Sequence, residues 1–304
     1  MNPSMLSRVE AYLAHRRALG FQLKIQGRML LDLARYVDAR DRGGPLTRQM
    51  AIDWACSPKQ ASRFYWAKRL GVVRVFAQYL LLTDSRTQLP PRGLFGSVFR
   101  RSAPHIYSPA QIGYLMRRAA TLAGRLRPHT FRCLIGLLAC SGLRISEALR
   151  LKIEDVDLQQ ALLVVRESKY GKSRVIPLHR TAVSPLQSYA RRRQKLFPLA
   201  EHFFVSEFGV GLGLHRVQEI FKGLRVRIPY QRRPPRLHDL RHTMASRVLQ
   251  RWQASQKGAL HRVPILCRYL GHDHIRHTYW YLTASPQLLK AAAQRFGSLP
   301  HEKS

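Results

Sequence analysis

Residues 236–283 read RLHDLRHTMASRVLQRWQASQKGALHRVPILCRYLGHDHIRHTYWYLT. His238, Arg241 and His242 fall within one helical turn of this stretch. Leu270-Gly271-His272 follows about thirty residues later, then Tyr279 and Tyr281. The stretch therefore offers phosphate-binding cations, proton-transfer groups and a phenol nucleophile. It holds no acidic cluster of the kind that binds a metal. Such a set points to phosphodiester chemistry through a covalent tyrosine intermediate.

The composition agrees with a polyanionic partner. Fifty-two Lys and Arg stand against 17 Asp and Glu, a formal net charge of +35. That excess exceeds what solubility needs, and nucleic acid is the expected partner. The basic residues are spread along the chain among core-like segments, which disfavours membrane binding. The N-terminal MNPSMLSRVE lacks an apolar signal region, and the uncharged run from Cys133 to Leu143 is too short to span a bilayer. Cys56, Cys133, Cys140 and Cys267 form no C-x-x-C pair, so no zinc module is expected. Cys133 and Cys140 read as core positions of one helix. A cytoplasmic protein with reduced thiols is expected.

Outward from the opening stretch, 304 residues suffice for two domains. Residues 1–83 show helical periodicity: Leu6, Val9 and Leu13; then Met29, Leu33, Tyr36 and Val37; then Val72, Val73, Phe76, Tyr79 and Leu80. Gly43-Gly44-Pro45 breaks this pattern, and Thr47 is placed to cap a helix beginning near Arg48. Arg63, Lys68, Arg69 and Arg74 lie between the apolar positions and are candidate DNA-phosphate contacts. Residues 84–105 read as a basic linker around Leu89-Pro90-Pro91-Arg92-Gly93. Arg92, Arg100 and Arg101 are further candidate contacts within it. Residues 106–304 form the second domain, opened by Ser108 as N-cap and Pro109 at the first helical position.

Within that domain, Phe131, Leu134, Ile135 and Leu138 share a helical face that ends at Ser141-Gly142. Arg144 then starts a new helix, beside backbone N–H groups that attract anions. Strands are expected over Glu154–Leu158, Ala161–Val165 and Ser173–Leu178, the last two joined by Lys169-Tyr170-Gly171-Lys172. Arg191-Arg192-Arg193 reads as a solvated face or a phosphate contact. Gly209, Gly211 and Gly213 lack the strand–helix frame of a nucleotide site and read as a loop leading into a helix near Leu214. The fold class expected is mainly α with a small antiparallel β-sheet.

The second domain resembles the catalytic domain of the tyrosine recombinases, or phage-type integrases. Ser141-Gly142-Leu143-Arg144-Ile145-Ser146-Glu147-Ala148-Leu149 is similar to the segment carrying that family's first catalytic arginine. Residues 168–178, SKYGKSRVIPL, are similar to the hairpin carrying its lysine. His238-Asp239-Leu240-Arg241-His242 resembles its H-x-x-R-H motif, and Leu270-Gly271-His272 its L-G-H motif. Tyr281 stands nine residues after His272, at the nucleophile's spacing.

The resemblance covers about residues 108–290. It implies a helical core-binding, SAM-like domain over 1–83, ahead of a mixed α/β catalytic domain. It also implies roles for six residues. Arg144 and Arg241 clamp the phosphate, His272 adds a donor, His238 assists deprotonation, Lys169 protonates the leaving oxygen and Tyr281 attacks. Lys172 is the rival to Lys169 and otherwise a DNA contact; Tyr279 is the rival to Tyr281 and otherwise a packing residue. His242 is expected to support the fold, and Glu147 to hold a nearby cation or backbone group.

No cofactor and no metal are implied. His272, His274 and His277 lack a completing Cys or carboxylate, and Asp155, Asp157 and Asp239 lack the frame of a metal-dependent transposase. A helix is expected over Ser285–Phe296, with Leu288, Leu289, Ala292 and Phe296 on one side. That stripe either packs on its own domain or, as the resemblance implies, docks on a neighbouring protomer of a tetramer assembled on synapsed DNA, which sibling recombinases could share. The alternatives are a type IB topoisomerase and a catalytically silent DNA-binding partner.

Overall fold

In the computed structural model the chain divides into two compact units, Met1–Ser102 and Ala103–Ser304. The structure describes residues 3–41, 43–96, 103–166, 173–231, 233–254, 259–272 and 274–284. The Lys169 and Lys172 segment, Arg100, Arg101 and the expected Ser285–Phe296 helix lie outside them.

The first unit contains α1 (Met5–Ala18), α2 (Lys24–Asp38), α3 (Arg48–Cys56) and α4 (Arg63–Leu80). Hydroxyl side chains start three of these helices: Ser4 accepts from Ser7 N–H, Thr47 from Met50 N–H and Ser62 from Tyr65 N–H. Each satisfies an orphan donor of the first turn. Asp38, at the end of α2, accepts from the backbone N–H groups of Met5 and Leu6 at 2.7 and 2.9 Å, so one helix end caps the start of another. Leu30, Leu33, Trp54, Val73 and Phe76 form the core.

In the stretch expected as a linker, residues 84–96 lie on this unit. Thr87 is buried, and Leu89 and Phe95 pack against the core. Gln88 N–H donates to Leu46 O at 2.9 Å, and Arg74 donates to Pro90 O. Two apolar side chains with a place on the core outweigh the proline-rich backbone's tendency to stand clear.

The second unit contains α5 (Pro109–Ala120), α6 (Arg127–Ser141), α7 (Ile145–Arg150), β1 (Val156–Asp157), β2 (Leu162–Val165), β3 (Arg174–Pro177), α8 (Arg180–Leu196), α9 (Leu214–Leu224), α10 (His238–Ala254), α11 (Ala259–Leu270) and α12 (Arg276–Ala284). The chain is thus mainly α with a small antiparallel sheet, ordered β1-β2-β3. Leu163 pairs with Ile176 and Val165 with Arg174.

The strand expected over Glu154–Leu158 is reduced to two residues. Asp155 accepts from Lys152 N–H, and Asp157 from the N–H groups of Gln159 and Gln160. These local carboxylate bonds favour turns over a ladder. At the start of α5, Ser108 and Gln111 form a reciprocal capping box with Pro109 in the first turn. Glu207 reaches from a distant loop to accept from the N–H groups at the start of α6.

Two cores result. The larger surrounds α6 and takes in the sheet, α8 and α9. The smaller joins α10, α11 and α12 through Ala245, Leu249, Val263, Leu266, Leu270 and Tyr281. Cys133 is buried as expected, but Cys140 is exposed. Arg193 is not part of a solvated run: it is buried and donates to Ala200 O and Gln194 Oε1. No helix among the described residues is long and apolar enough to cross a membrane.

Candidate active site

The carboxyl end of α11 organises the site. Its last carbonyls have no partner further along the helix and carry the negative end of the helix dipole. Three arginines from three different elements meet them. Arg174 Nε donates to Tyr269 O at 3.0 Å, Arg241 Nη2 to Leu270 O at 2.6 Å, and Arg144 Nη2 to Gly271 O at 2.7 Å. Gly271 takes φ +65° and closes the helix, with His272 N–H returning to Cys267 O at 3.0 Å. A side chain at Gly271 would also strike Arg174: an added Cβ would lie 2.9 Å from its Nη1.

Arg144 is held from its own side as well. It is the N-cap residue of α7, and Glu147 accepts from its backbone N–H at 2.9 Å and from its Nη1 at 2.7 Å. The same carboxylate accepts from Arg174 Nη1 at 3.1 Å and Nη2 at 2.8 Å. Glu147 thus holds two cations and a backbone group. Burial works to raise its pKa, but the hydrogen bonds from Arg174 and Arg144 outweigh it and bring the pKa to about 2.

Arg241 comes from the first turn of α10 and is buried, with Nη1 also donating to Gly142 O at 2.8 Å. Gly142, at φ +64°, ends α6 and presents that carbonyl. Asp239 fixes the start of α10 by accepting from Arg236 N–H and from the Arg236 and Arg233 guanidiniums.

Tyr281 lies in the field of this cluster. Burial raises its pKa, while Arg241 and Arg144 pull it down; the net effect is upward, so the phenol is protonated at neutral pH. Its ring stacks on His272 at 5.9 Å and meets His242 edge-on at 5.3 Å. Tyr281 is 2% exposed and Tyr279 39%. The two tyrosines therefore point apart, as residues two positions apart on a helix do. Tyr279, expected as a packing residue, is not among the residues of the α10–α12 core.

Burial keeps His238, His242 and His272 neutral. His238 has its pKa lowered to about 4 and His272 to about 3, by burial first and by Arg241 second. Burial and His238 bring His242 to about 2. His238 and His242 meet edge-on at 4.7 Å, and His242 also abuts Trp280. His272 Nδ1 is 2.8 Å from Thr278 Oγ1.

The structure thus brings Arg144, His238, Arg241, His272 and Tyr281 into one electrostatically coupled group. Lys169 is outside the described residues. Arg174 and Thr278 were not singled out in the sequence. For Arg174 a signal existed: it shares the inward face of β3 with Ile176, and an arginine on an inward face needs a partner.

The candidate DNA contacts of the first unit divide. Arg63 and Arg92 are exposed and Lys68 is half-buried. Arg69 is corrected: it is buried, stacks on Trp54 at 3.7 Å and donates to Trp54 O at 2.8 Å. Its position between apolar residues puts it inside the helical bundle. Arg74 is engaged by Pro90 O.

The phage integrase family model matches residues 108–287. The chain is 40% identical over 299 residues to a Sinorhizobium fredii protein named as an integrase/recombinase, y4rB, covering 94% of this chain and 95% of that one. A second S. fredii protein so named, y4rE, is 36% identical over 293 residues, covering 95% and 94%. Among solved structures, the Tn1549 transposon integrase in complex with transposon right end DNA aligns over 97% of this chain and 100% of that chain. Its TM-score is 0.69 and its identity 16%. A lambda integrase tetramer bound to a Holliday junction aligns over 91% and 76%, with a TM-score of 0.63 and 17% identity. At such identities the structural likeness speaks to the fold.

Proposed function

Because this chain belongs to the phage integrase family, we propose that it is a site-specific DNA recombinase that integrates or transposes a mobile element through a 3′-phosphotyrosyl intermediate. The observation that carries the proposal is the pairing of two fixed guanidiniums, Arg144 and Arg241, with the Tyr281 phenol in their field.

A DNA phosphodiester is anionic and resists attack. Charge on its non-bridging oxygens must be neutralised as the pentacovalent state forms. Forked guanidiniums do this with charge-assisted hydrogen bonds. Each carries five N–H donors, more than the carbonyl bonds to α11 consume. Those bonds aim the forks before substrate arrives. His272 adds a donor to the same oxygens. Tyr281 Oη attacks phosphorus and passes its proton to neutral His238. The bond from phosphorus to the 5′-oxygen breaks, and Lys169 supplies the proton that the leaving oxygen takes. Because the ester keeps the bond energy, a 5′-hydroxyl from another strand reverses the steps, and strands are exchanged.

The net charge of +35 supports double-stranded DNA as the substrate, which puts the protein's work on the bacterial nucleoid. The lambda integrase tetramer supports a tetramer on synapsed DNA as the working assembly, with sibling recombinases as possible members.

The test is covalent trapping in EDTA. A pool of nicked duplexes with randomised sequence is incubated with the protein. DNA linked to it through denaturation is recovered and sequenced, which also finds the site. Adducts from the wild type and from Tyr279→Phe, but none from Tyr281→Phe, are expected. Loss in Tyr279→Phe alone would move the nucleophile. No adduct on DNA that the protein binds would leave a silent DNA-binding partner.

A further inference from the structure

We propose that Arg174 is a positioning residue for the phosphate clamp, acting through Glu147 and the carboxyl end of α11 to set Arg144. The inference rests on the recombinase reading above. Three consecutive carbonyls, those of Tyr269, Leu270 and Gly271, each accept from a different arginine. Two of the three, Arg241 and Arg144, are the proposed clamp. Arg174 differs in where its other donors go: both of its Nη atoms bond Glu147.

Glu147 sits between Arg174 and Arg144 with its side chain 1% exposed. A buried carboxylate needs its charge and lone pairs matched. With Arg174 present, Arg144 supplies a single side-chain bond to Glu147 and keeps one for Gly271 O. Without Arg174, the carboxylate has Arg144 as its remaining ion-pair partner and draws that guanidinium into a two-bond fork. The fork then turns away from Gly271 O and from the phosphate position. Loss of Arg174 also releases Tyr269 O at the helix end. The geometry needs an arginine: a lysine ammonium on β3 cannot bond both Glu147 oxygens and Tyr269 O in one plane.

The role predicts a defect specific to phosphate charge. Arg174→Gln and Arg174→Lys are compared with wild type in single-turnover cleavage of the trapped site. One substrate carries the ordinary phosphodiester, the other a neutral methylphosphonate at the scissile position. DNA affinity and thermal unfolding are measured alongside. On the phosphodiester both variants are expected to slow by about tenfold or more relative to wild type. On the methylphosphonate, which has no anionic charge to neutralise, the gap is expected to shrink to about threefold or less. Affinity is expected to be unchanged.

Equal slowing on both substrates would mean a general structural defect and would overturn the inference. So would wild-type rates from Arg174→Lys, since charge without the fork would then suffice. If Arg174→Gln fails to fold, Arg174→Lys carries the comparison by itself. A wild type that forms no adduct on either substrate removes the recombinase reading, and this inference with it. A wild type that cleaves, beside variants that fail the substrate comparison, removes only the role of Arg174.

Discussion

In the proposed chemistry, Thr278 is the residue that sets whether His272 offers a donor to the phosphate. A neutral imidazole has one N–H, and its partner on the other nitrogen sets the tautomer. Thr278 is buried, and its hydroxyl lies 2.8 Å from His272 Nδ1. With the hydroxyl donating, the ring proton rests on Nε2 and points out as a donor, the tautomer that the proposed chemistry needs. Thr278→Val keeps the shape and removes the hydroxyl. Cleavage is expected to fall by about 10²-fold, the cost of one oxyanion donor, with DNA affinity unchanged. An unaltered single-turnover rate in Thr278→Val would assign the tautomer to another partner. His272 was legible from the L-G-H motif, but Thr278 was not. A threonine six residues on, beyond a turn, has no sequence periodicity that links it to a histidine.

The end of α11 is the element on which the clamp depends, and Gly271 is its weak point. At φ +65° an alanine costs about 1–2 kcal/mol in backbone strain. The added methyl also meets Arg174, whose guanidinium is pinned by Glu147 and Tyr269 O and cannot swing aside. Gly271→Ala is therefore expected to form phosphotyrosyl adduct far more slowly while losing only a few degrees of Tm; adduct formation at the wild-type rate would show that the helix end does not set the arginines. In the first unit, α4 carries two arginines with opposite expectations. Arg69 satisfies Trp54 O and stacks on its ring, so Arg69→Ala should destabilise that unit by about 1–3 kcal/mol. Arg63 is exposed, so Arg63→Ala should leave Tm unchanged, weaken DNA binding and flatten the salt dependence by about one unit of slope. Equal effects of the two substitutions on Tm would contradict this division.

At the scale of the whole molecule, neutral burial of histidines ties stability to pH. The folded protein keeps His238, His272 and His242 uncharged down to about 4, 3 and 2. An unfolded chain protonates its histidines near about 6.5. Below that pH the unfolded state binds more protons, so stability falls as acid is added. The contribution is whole above about 6.5 and is lost progressively as the pH drops towards the folded values. Glu147, depressed to about 2, starts to lose its contribution only when the pH falls below the ordinary glutamate value of about 4.3. Tm is therefore expected to fall between pH 7.5 and pH 5.5, and His242→Gln should shrink that fall; a Tm flat across the interval would mean that these rings are not held neutral.

The sequence by itself determined the mainly helical class, the small antiparallel sheet, the caps at Thr47 and Ser108, and the motif order that marks the family. These rest on local period, turn chemistry and charge, which act over a few residues or over the whole composition. Tertiary structure alone decided that Arg69 and Arg193 are internal. It also decided that residues 84–96 belong to the first helical unit. The gathering of three arginines at one helix end is of the same kind. Arg144, Arg174 and Arg241 are far apart along the chain, and each satisfies a carbonyl that α11 cannot satisfy within itself. Which distant cation fills such a position depends on which elements pack against the helix end, and a one-dimensional pattern does not carry that.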